Sequence, residues 1–64
     1  MTKKKINETR EKVAEIMQQI NELKNIFDEY RDGDNVYMWC YSNCDAALDE
    51  LVEIDDSLLE ESQK

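Results

Sequence analysis

A 3-4 spacing of apolar and aromatic residues, interrupted by one threonine, runs through the first half of the chain. Residues three and four apart share one face of an α-helix, and the pattern covers more than three heptads. It therefore predicts a helix over about residues 6–31. Met17 and Ile26 widen the stripe beyond what one facing helix covers, which indicates a second packing surface. The members of the stripe are Ile6, Thr9, Val13, Ile16, Ile20, Leu23, Phe27 and Tyr30.

The only glycine, Gly33, lies near the midpoint of the 64 residues and is flanked by aspartates. Glycine tolerates the left-handed conformation in which many helices end, and Asp and Asn are good first residues of a helix. We therefore predict a turn over residues 32–35 and a second helix over about residues 36–61. The two arms then have equal length.

The start of the second arm has two interpretations. Residues 36–41 are rich in β-branched and aromatic side chains and fit an extended segment, with a shorter helix capped near Ser42. A lone strand would have no partner in so small a chain, so one continuous helix is favoured. Such a helix places on one face Tyr37, Cys40, Tyr41, Cys44, Ala47, Leu48, Leu51, Ile54, Leu58 and Leu59.

The expected fold is all-α, an antiparallel two-helix hairpin in which residues 1–64 form one domain. Antiparallel pairing sets opposite each other residues whose numbers sum to about 67, and Asp55 then faces Lys12 or Arg10 in a partly buried ion pair. A core of this size stabilises a fold by only ~3–5 kcal/mol. We therefore expect a four-helix bundle, completed by a homodimer or by docking on a different protein.

Charge is distributed unevenly along the chain. Residues 2–31 contain seven basic and six acidic residues, whereas residues 32–63 contain ten acidic residues and no basic one. Such asymmetry predicts one strongly anionic face and disfavours direct binding to nucleic acid. We interpret the run from Lys3 to Lys5 as a solvated tail. No apolar run is long enough to cross a membrane and no signal peptide is recognisable, so a cytoplasmic protein with reduced thiols at Cys40 and Cys44 is expected.

Five acidic residues of the second half form a single stripe along the predicted helix. They follow one another at steps of four, four, three and four, and Glu50 and Glu61 flank them. Neighbouring like charges oppose helix formation by roughly a few tenths of a kcal/mol per pair. A solvated face explains acidic residues in general, but not the absence of any basic residue to relieve this repulsion. The pattern indicates a docking surface for a basic partner, formed by Asp45, Asp49, Glu53, Asp56 and Glu60.

Met38 and Trp39 fall outside the apolar face of the predicted helix. A Trp beside a Met is a common interface anchor, because it buries a large area with little loss of rotamer freedom. The alternative is a helix that starts late, with the indole folded back onto Phe27 or Tyr30. The chain contains no His, and the spacing of Cys40 and Cys44 is not that of a zinc or redox motif, so we expect no metal, cofactor or catalytic residue.

These patterns predict a small acidic non-enzymatic protein that regulates or inhibits a protein partner with a basic surface. The sharpest form of the hypothesis is a nucleic-acid mimic, of the kind that phage proteins use against host nucleases and defence systems. The proposed partner-binding residues are Asp45, Asp49, Glu50, Glu53, Asp56, Glu60, Trp39 and Met38. The alternatives are a structural module for homo-oligomerisation and an adaptor that uses Trp39 in an apolar groove.

Overall fold

The computed structural model describes residues 1–30, 33 and 35–64 and contains two α-helices packed antiparallel against each other. Helix α1 spans Lys3–Tyr30 and helix α2 spans Asn35–Ser62, with 28 residues in each. The hairpin is a rod of 48 × 15 × 11 Å. No strand occurs among the described residues, so the predicted helical hairpin is confirmed. Neither helix, within the same residues, is apolar enough over a sufficient length to span a membrane.

Helix α1 begins earlier than predicted because Thr2 caps it. The Thr2 Oγ1 accepts a hydrogen bond from the backbone N–H of Lys5 at 3.1 Å, and the Thr2 carbonyl accepts one from Ile6 at 3.0 Å. A threonine in this position satisfies backbone donors that the first turn otherwise leaves free. The run Lys3 to Lys5 is therefore the first turn of α1, and its interpretation as a tail was wrong.

The glycine of the connection does not act as predicted. Its N–H donates to the carbonyl of Tyr30 at 3.0 Å, a bond of the 3₁₀ type that tightens the end of a helix. No described residue, Gly33 included, has a positive φ, so the expected left-handed conformation is absent there. Residues 31, 32 and 34, which the prediction placed at the end of helix 1 and in the turn, lie outside the described residues. Helix α2 already includes residue 35.

The pairing register of the two helices agrees with the sequence. Arg10 pairs with Asp55, Lys24 pairs with Asp45, and the rings of Tyr30 and Tyr37 lie 5.6 Å apart between centroids. These pairs sum to between 65 and 69, around the predicted 67. The second helix is continuous from Asn35, which rules out an extended segment over residues 36–41.

The core of the hairpin is small. Ile6, Val13 and Cys44 are the buried apolar residues of the described chain, exposed by 1%, 6% and 8%. In α1 the stripe is buried unevenly, because one of its two rows points at α2 and the other lies beside it. The first row contains Ile6, Val13, Ile20 and Phe27, all buried or half-buried; of the second, only Thr9 is half-buried, whereas Ile16, Leu23 and Tyr30 are exposed.

The two long sides of the hairpin differ in chemistry. The line of contact between the two helices is called the seam. A helix turns by about 100° per residue, so residues at steps of seven line each side of the seam. On the side that we call the ion-pair side, Lys24 of α1 contacts Asp45 and Tyr41 of α2. The opposite side, which we call the apolar side, is lined by Ile16, Leu23 and Tyr30 of α1 and by Cys40, Ala47 and Ile54 of α2.

Replacement of Val13 with Ala tests the location of the core. The change removes two buried methyl groups and is expected to lower the free energy of unfolding by about 1–2 kcal/mol. The matched control is Val52→Ala, at a valine that is 44% exposed in α2, where a change of less than about 0.5 kcal/mol is expected. Urea denaturation followed by circular dichroism measures both, and equal losses would show that the seam does not carry the stability.

Candidate functional site

The acidic stripe, defined as Asp45, Asp49, Glu53, Asp56 and Glu60, lies along the outer surface of α2. All five side chains are exposed. The stripe covers 16 residues of uninterrupted helix, and its first and last Cα atoms lie about 22 Å apart at ~1.5 Å per residue. By rotation around the helix its centre points away from α1 and leans toward the ion-pair side. The continuous helix thus keeps the predicted carboxylates in one straight row.

The two flanking glutamates do not belong to this row. Glu50 and Glu61 line a shallow surface groove together with Glu53 and Ile54, on the edge of α2 that borders the apolar side. Glu61 also pairs with Lys64 at 3.1 Å between Nζ and Oε2. Of the predicted partner-binding acids, Glu50 therefore lies beside the row and shares this groove with Glu53, which belongs to the stripe.

The first carboxylate of the stripe is neutralised by the other helix. Lys24 Nζ lies 2.7 Å from Asp45 Oδ1 and 5.0 Å from the centre of the Tyr41 ring. The hydrogen bond to Asp45 is the main cause of a raised pKa of Lys24, opposed by partial burial of the amine. The premise that no basic residue relieves the stripe is therefore wrong at Asp45, because the relief comes from α1 and not from α2.

The remaining four carboxylates of the stripe have no such partner. Asp49, Glu53, Asp56 and Glu60 form no ion pair with any described residue. Their neighbours on the same helix face lie ~5–6 Å apart, close enough for mutual repulsion. They form an exposed anionic surface on a rigid helix, and in the described chain only Asp56 has a cation of α1 close enough to act on, since its charge helps to raise the pKa of Arg10. Helix α1, in contrast, carries charges of both signs.

An ion pair beside the stripe joins the two helices near their free ends. Arg10 Nε and Nη2 donate to the two carboxylate oxygens of Asp55 at 2.9 and 3.3 Å, a bidentate arrangement. Both side chains are about one-third exposed. The hydrogen bond from Arg10 lowers the pKa of Asp55, against the effect of partial burial. The predicted ion pair of Asp55 is confirmed with Arg10 as its partner, and its role in fixing the register stays a prediction. Lys12 Nζ lies 3.6 Å from Glu15 Oε2 instead.

Trp39 and Met38 are both exposed, by 68% and 56%. The ring that packs on Phe27 and Tyr30 is Tyr37, so the indole does not fold back onto them. Adjacent helical residues point about 100° apart. Met38 precedes Asp45 by seven residues and extends the line of the stripe, whereas Trp39 lies on the other flank of α2. The two residues therefore do not form a single anchor.

The described residues offer little for other chemistry. No three His, Cys, Asp or Glu side chains among residues 1–30, 33 and 35–64 lie close enough to hold a metal ion. Cys40 and Cys44 are free thiols, half-buried and buried. The surface groove beside the ion pair is open to solvent, and it is lined by Asn7, Arg10, Glu11, Val13, Ala14, Met17 and Asp55.

No protein-family model, curated protein or solved structure shows significant similarity to this chain.

The Lys24–Asp45 contact and the Thr2 cap were not foreseen from the sequence. The pairing rule could have predicted the Lys24–Asp45 contact, since 24 and 45 sum to 69. The Thr2 cap could also have been predicted, because a threonine stands just before the polar start of the heptad pattern.

Replacement of Asp55 with Asn tests the ion pair through its pH dependence. The folded-state pKa of Asp55 lies below the ordinary value of 3.8. The pair therefore stabilises the hairpin above that pH, and this contribution is lost as pH falls through the lower, folded-state pKa. We expect Asp55→Asn to lower the melting temperature by a few degrees at about pH 7 and to have almost no effect at about pH 2.

The matched control is Asp49→Asn, at a carboxylate without an ion pair. It is expected to leave the melting temperature at neutral pH unchanged or slightly higher, because repulsion in the stripe is relieved. Thermal unfolding followed by circular dichroism at both pH values measures the two variants. A loss for Asp55→Asn that is independent of pH would contradict the assignment.

Proposed function

We propose that this chain is a non-enzymatic binding protein that docks the acidic stripe of α2 on a basic surface of a protein partner and thereby regulates or inhibits it. The observation that supports this proposal is the set of four exposed carboxylates without ion pairs, Asp49, Glu53, Asp56 and Glu60. Repulsion among these carboxylates is tolerated on a solvated face but does not stabilise it. A basic partner surface would attract the same carboxylates, and binding would relieve their repulsion.

The specific form of the proposal is a mimic of nucleic acid that acts in the cytoplasm, as small phage proteins do against nucleases and DNA-binding defence proteins. The four carboxylates without ion pairs, from Asp49 to Glu60, form a row about 16 Å long on a rigid helix and present negative charge at a regular axial repeat, as a phosphate backbone does. The groove of a nucleic-acid-binding protein selects for charge of this kind. This identification rests on charge and shape, without a sequence motif.

A second candidate function is supported by the exposure of Trp39. An indole that is 68% exposed on a helix is available to fill an apolar pocket of a partner, and such residues often dominate binding energies. In that case the chain is an adaptor whose affinity depends little on salt. The remaining alternative is a module for homo-oligomerisation only. In that case neither the acidic stripe nor Trp39 binds another protein.

Displacement of DNA from basic proteins tests the mimic. Fluorescein-labelled duplexes are bound to a panel of purified nucleases and DNA-binding proteins, and the hairpin is titrated while anisotropy is followed. We expect it to displace the duplex from at least one of them, with an affinity that falls at least about tenfold between low and moderate ionic strength. The triple reversal of Asp49, Glu53 and Asp56 to Lys is expected to abolish displacement.

A matched control is available on the other helix. Glu8, Glu15 and Glu22 follow one another at steps of seven on the exposed surface of α1, so their reversal to Lys changes the net charge by the same amount. This variant should still displace the duplex. Equal loss in both triple variants would indicate net charge rather than the stripe. Loss with Trp39→Ala and little salt dependence would favour the adaptor, and no displacement from any protein would contradict the mimic.

A further inference from the structure

The apolar side of the hairpin is exposed along most of its length. Ile16, Leu23 and Ile54 are exposed by 38%, 45% and 48%, although they lie directly beside the seam. Two helices bury only the faces that they turn to each other, so a stripe wider than one seam is left partly in water. The ion-pair side differs, because the Arg10 and Lys24 ion pairs partly cover it.

The total exposed area shows how much surface a partner has to cover. The hairpin has an accessible surface of 5116 Å² and a mass of 7.6 kDa. A compact monomer of that mass exposes ~4,300 Å² by the usual scaling, so the excess is ~800 Å². This is about the area that each partner buries in a standard stable interface. The excess therefore has the size of one dimer interface.

We propose that a second copy of the chain covers the apolar side, related by a twofold axis parallel to the long axis of the hairpin. In this arrangement α1 of each copy packs on α2 of the other, and the four helices form a bundle. The two connections lie at the same end of the bundle. The axis follows from the distribution of apolar and charged residues along the apolar side.

Apolar residues match under this axis. A twofold parallel to the rod leaves every residue at its own height, so residues that sum to about 67 also face each other between copies. Ile16 of one copy then lies near Ile54 of the other, and Leu23 lies near Ala47. Each exposed side chain of α1 meets an apolar side chain of α2, as a bundle core requires.

Charges match as well. The edge of the apolar side carries Lys5 and Lys12 on α1 and Glu50 and Glu61 on α2. At unchanged height Lys5 of one copy lies beside Glu61 of the other, whereas Lys12 is offset from Glu50 by about 7.5 Å along the rod, at ~1.5 Å per residue. Opposite charges at the rim of an interface select one orientation over another.

The other closed arrangement, a twofold axis perpendicular to the rod, fails on both counts. It packs α1 on α1 and α2 on α2 about the midpoint of the rod. Leu23 then faces Lys12 of the second copy, which buries apolar surface against an amine. Glu50 faces the Glu50 of the second copy, and like charges in such contact are repulsive. With the perpendicular axis at the midpoint, the pattern of apolar and charged residues therefore favours the long-axis symmetry.

The first test measures molecular mass by light scattering over a range of concentrations. The wild type is expected to reach twice the chain mass of 7.6 kDa. Leu23→Lys is expected to weaken the dimer at least tenfold. The matched control is Val52→Lys, because Val52 is exposed by 44% against 45% for Leu23 but lies on the ion-pair side. A wild type that stays monomeric, or equal weakening in both variants, overturns the proposal.

The second test measures the symmetry directly and does not depend on how well a variant folds. A spin label is attached through a keto amino acid at position 29, near the connection, which leaves both cysteines unmodified. Under the proposed axis the two labels lie at the same height. Under the perpendicular axis they are offset along the rod by about 35 Å, from ~1.5 Å per residue. Pulsed dipolar distances that require this offset overturn the proposed axis. Neither test involves the basic partner of the acidic stripe, so the dimer and the proposed function are tested independently.

Discussion

A two-helix hairpin has only one seam, and this constraint determines what the rest of the molecule can do. Each helix turns one narrow face to the other, so only Ile6, Val13 and Cys44 are buried below one-tenth exposure in the described chain. Ile20 and Phe27 also face α2 but are only half-buried, and the second row of the stripe, from Ile16 to Tyr30, lies beside the seam and is exposed. The hairpin therefore has two unlike sides. The ion pairs of the ion-pair side have no equivalent on the apolar side of the described chain.

The two ion pairs between the helices both use cations of α1 and carboxylates of α2. Arg10 and Lys24 are 14 residues apart, four turns of helix, so they hold the register near both ends of the seam. They also reduce the charge of α2 where it borders α1. The negative charge that remains lies on the outer surface, where Asp49, Glu53, Asp56 and Glu60 form no ion pair with a described residue, although the charge of Asp56 still contributes to the raised pKa of Arg10. The asymmetry between the halves of the sequence thus becomes an asymmetry between surfaces.

The sequence predicted the helices, their pairing and the Asp55 ion pair, because heptad spacing and antiparallel register are geometric and depend on few residues. It predicted the termini less well. The Thr2 cap extends α1 into a lysine run that local charge alone assigns to solvent. The rotation of α1 about its own axis decides whether Ile16 or Val13 is buried against α2. The 3-4 spacing alone predicts that both face α2. The separation of Met38 from Trp39 was also missed, since neighbours in sequence point about 100° apart on a helix.

The acidic stripe and the apolar side lie on different parts of the surface, and this separates the two proposed interactions. In a bundle with the long-axis twofold, each α2 contacts α1 of both copies and turns its stripe to an outer corner. The two stripes then lie at diagonally opposite corners and point in opposite directions. A single basic groove cannot engage both, so avidity within one site is excluded by geometry. If both proposals hold, each copy presents its own stripe to its own partner, and the complex contains two partners per dimer.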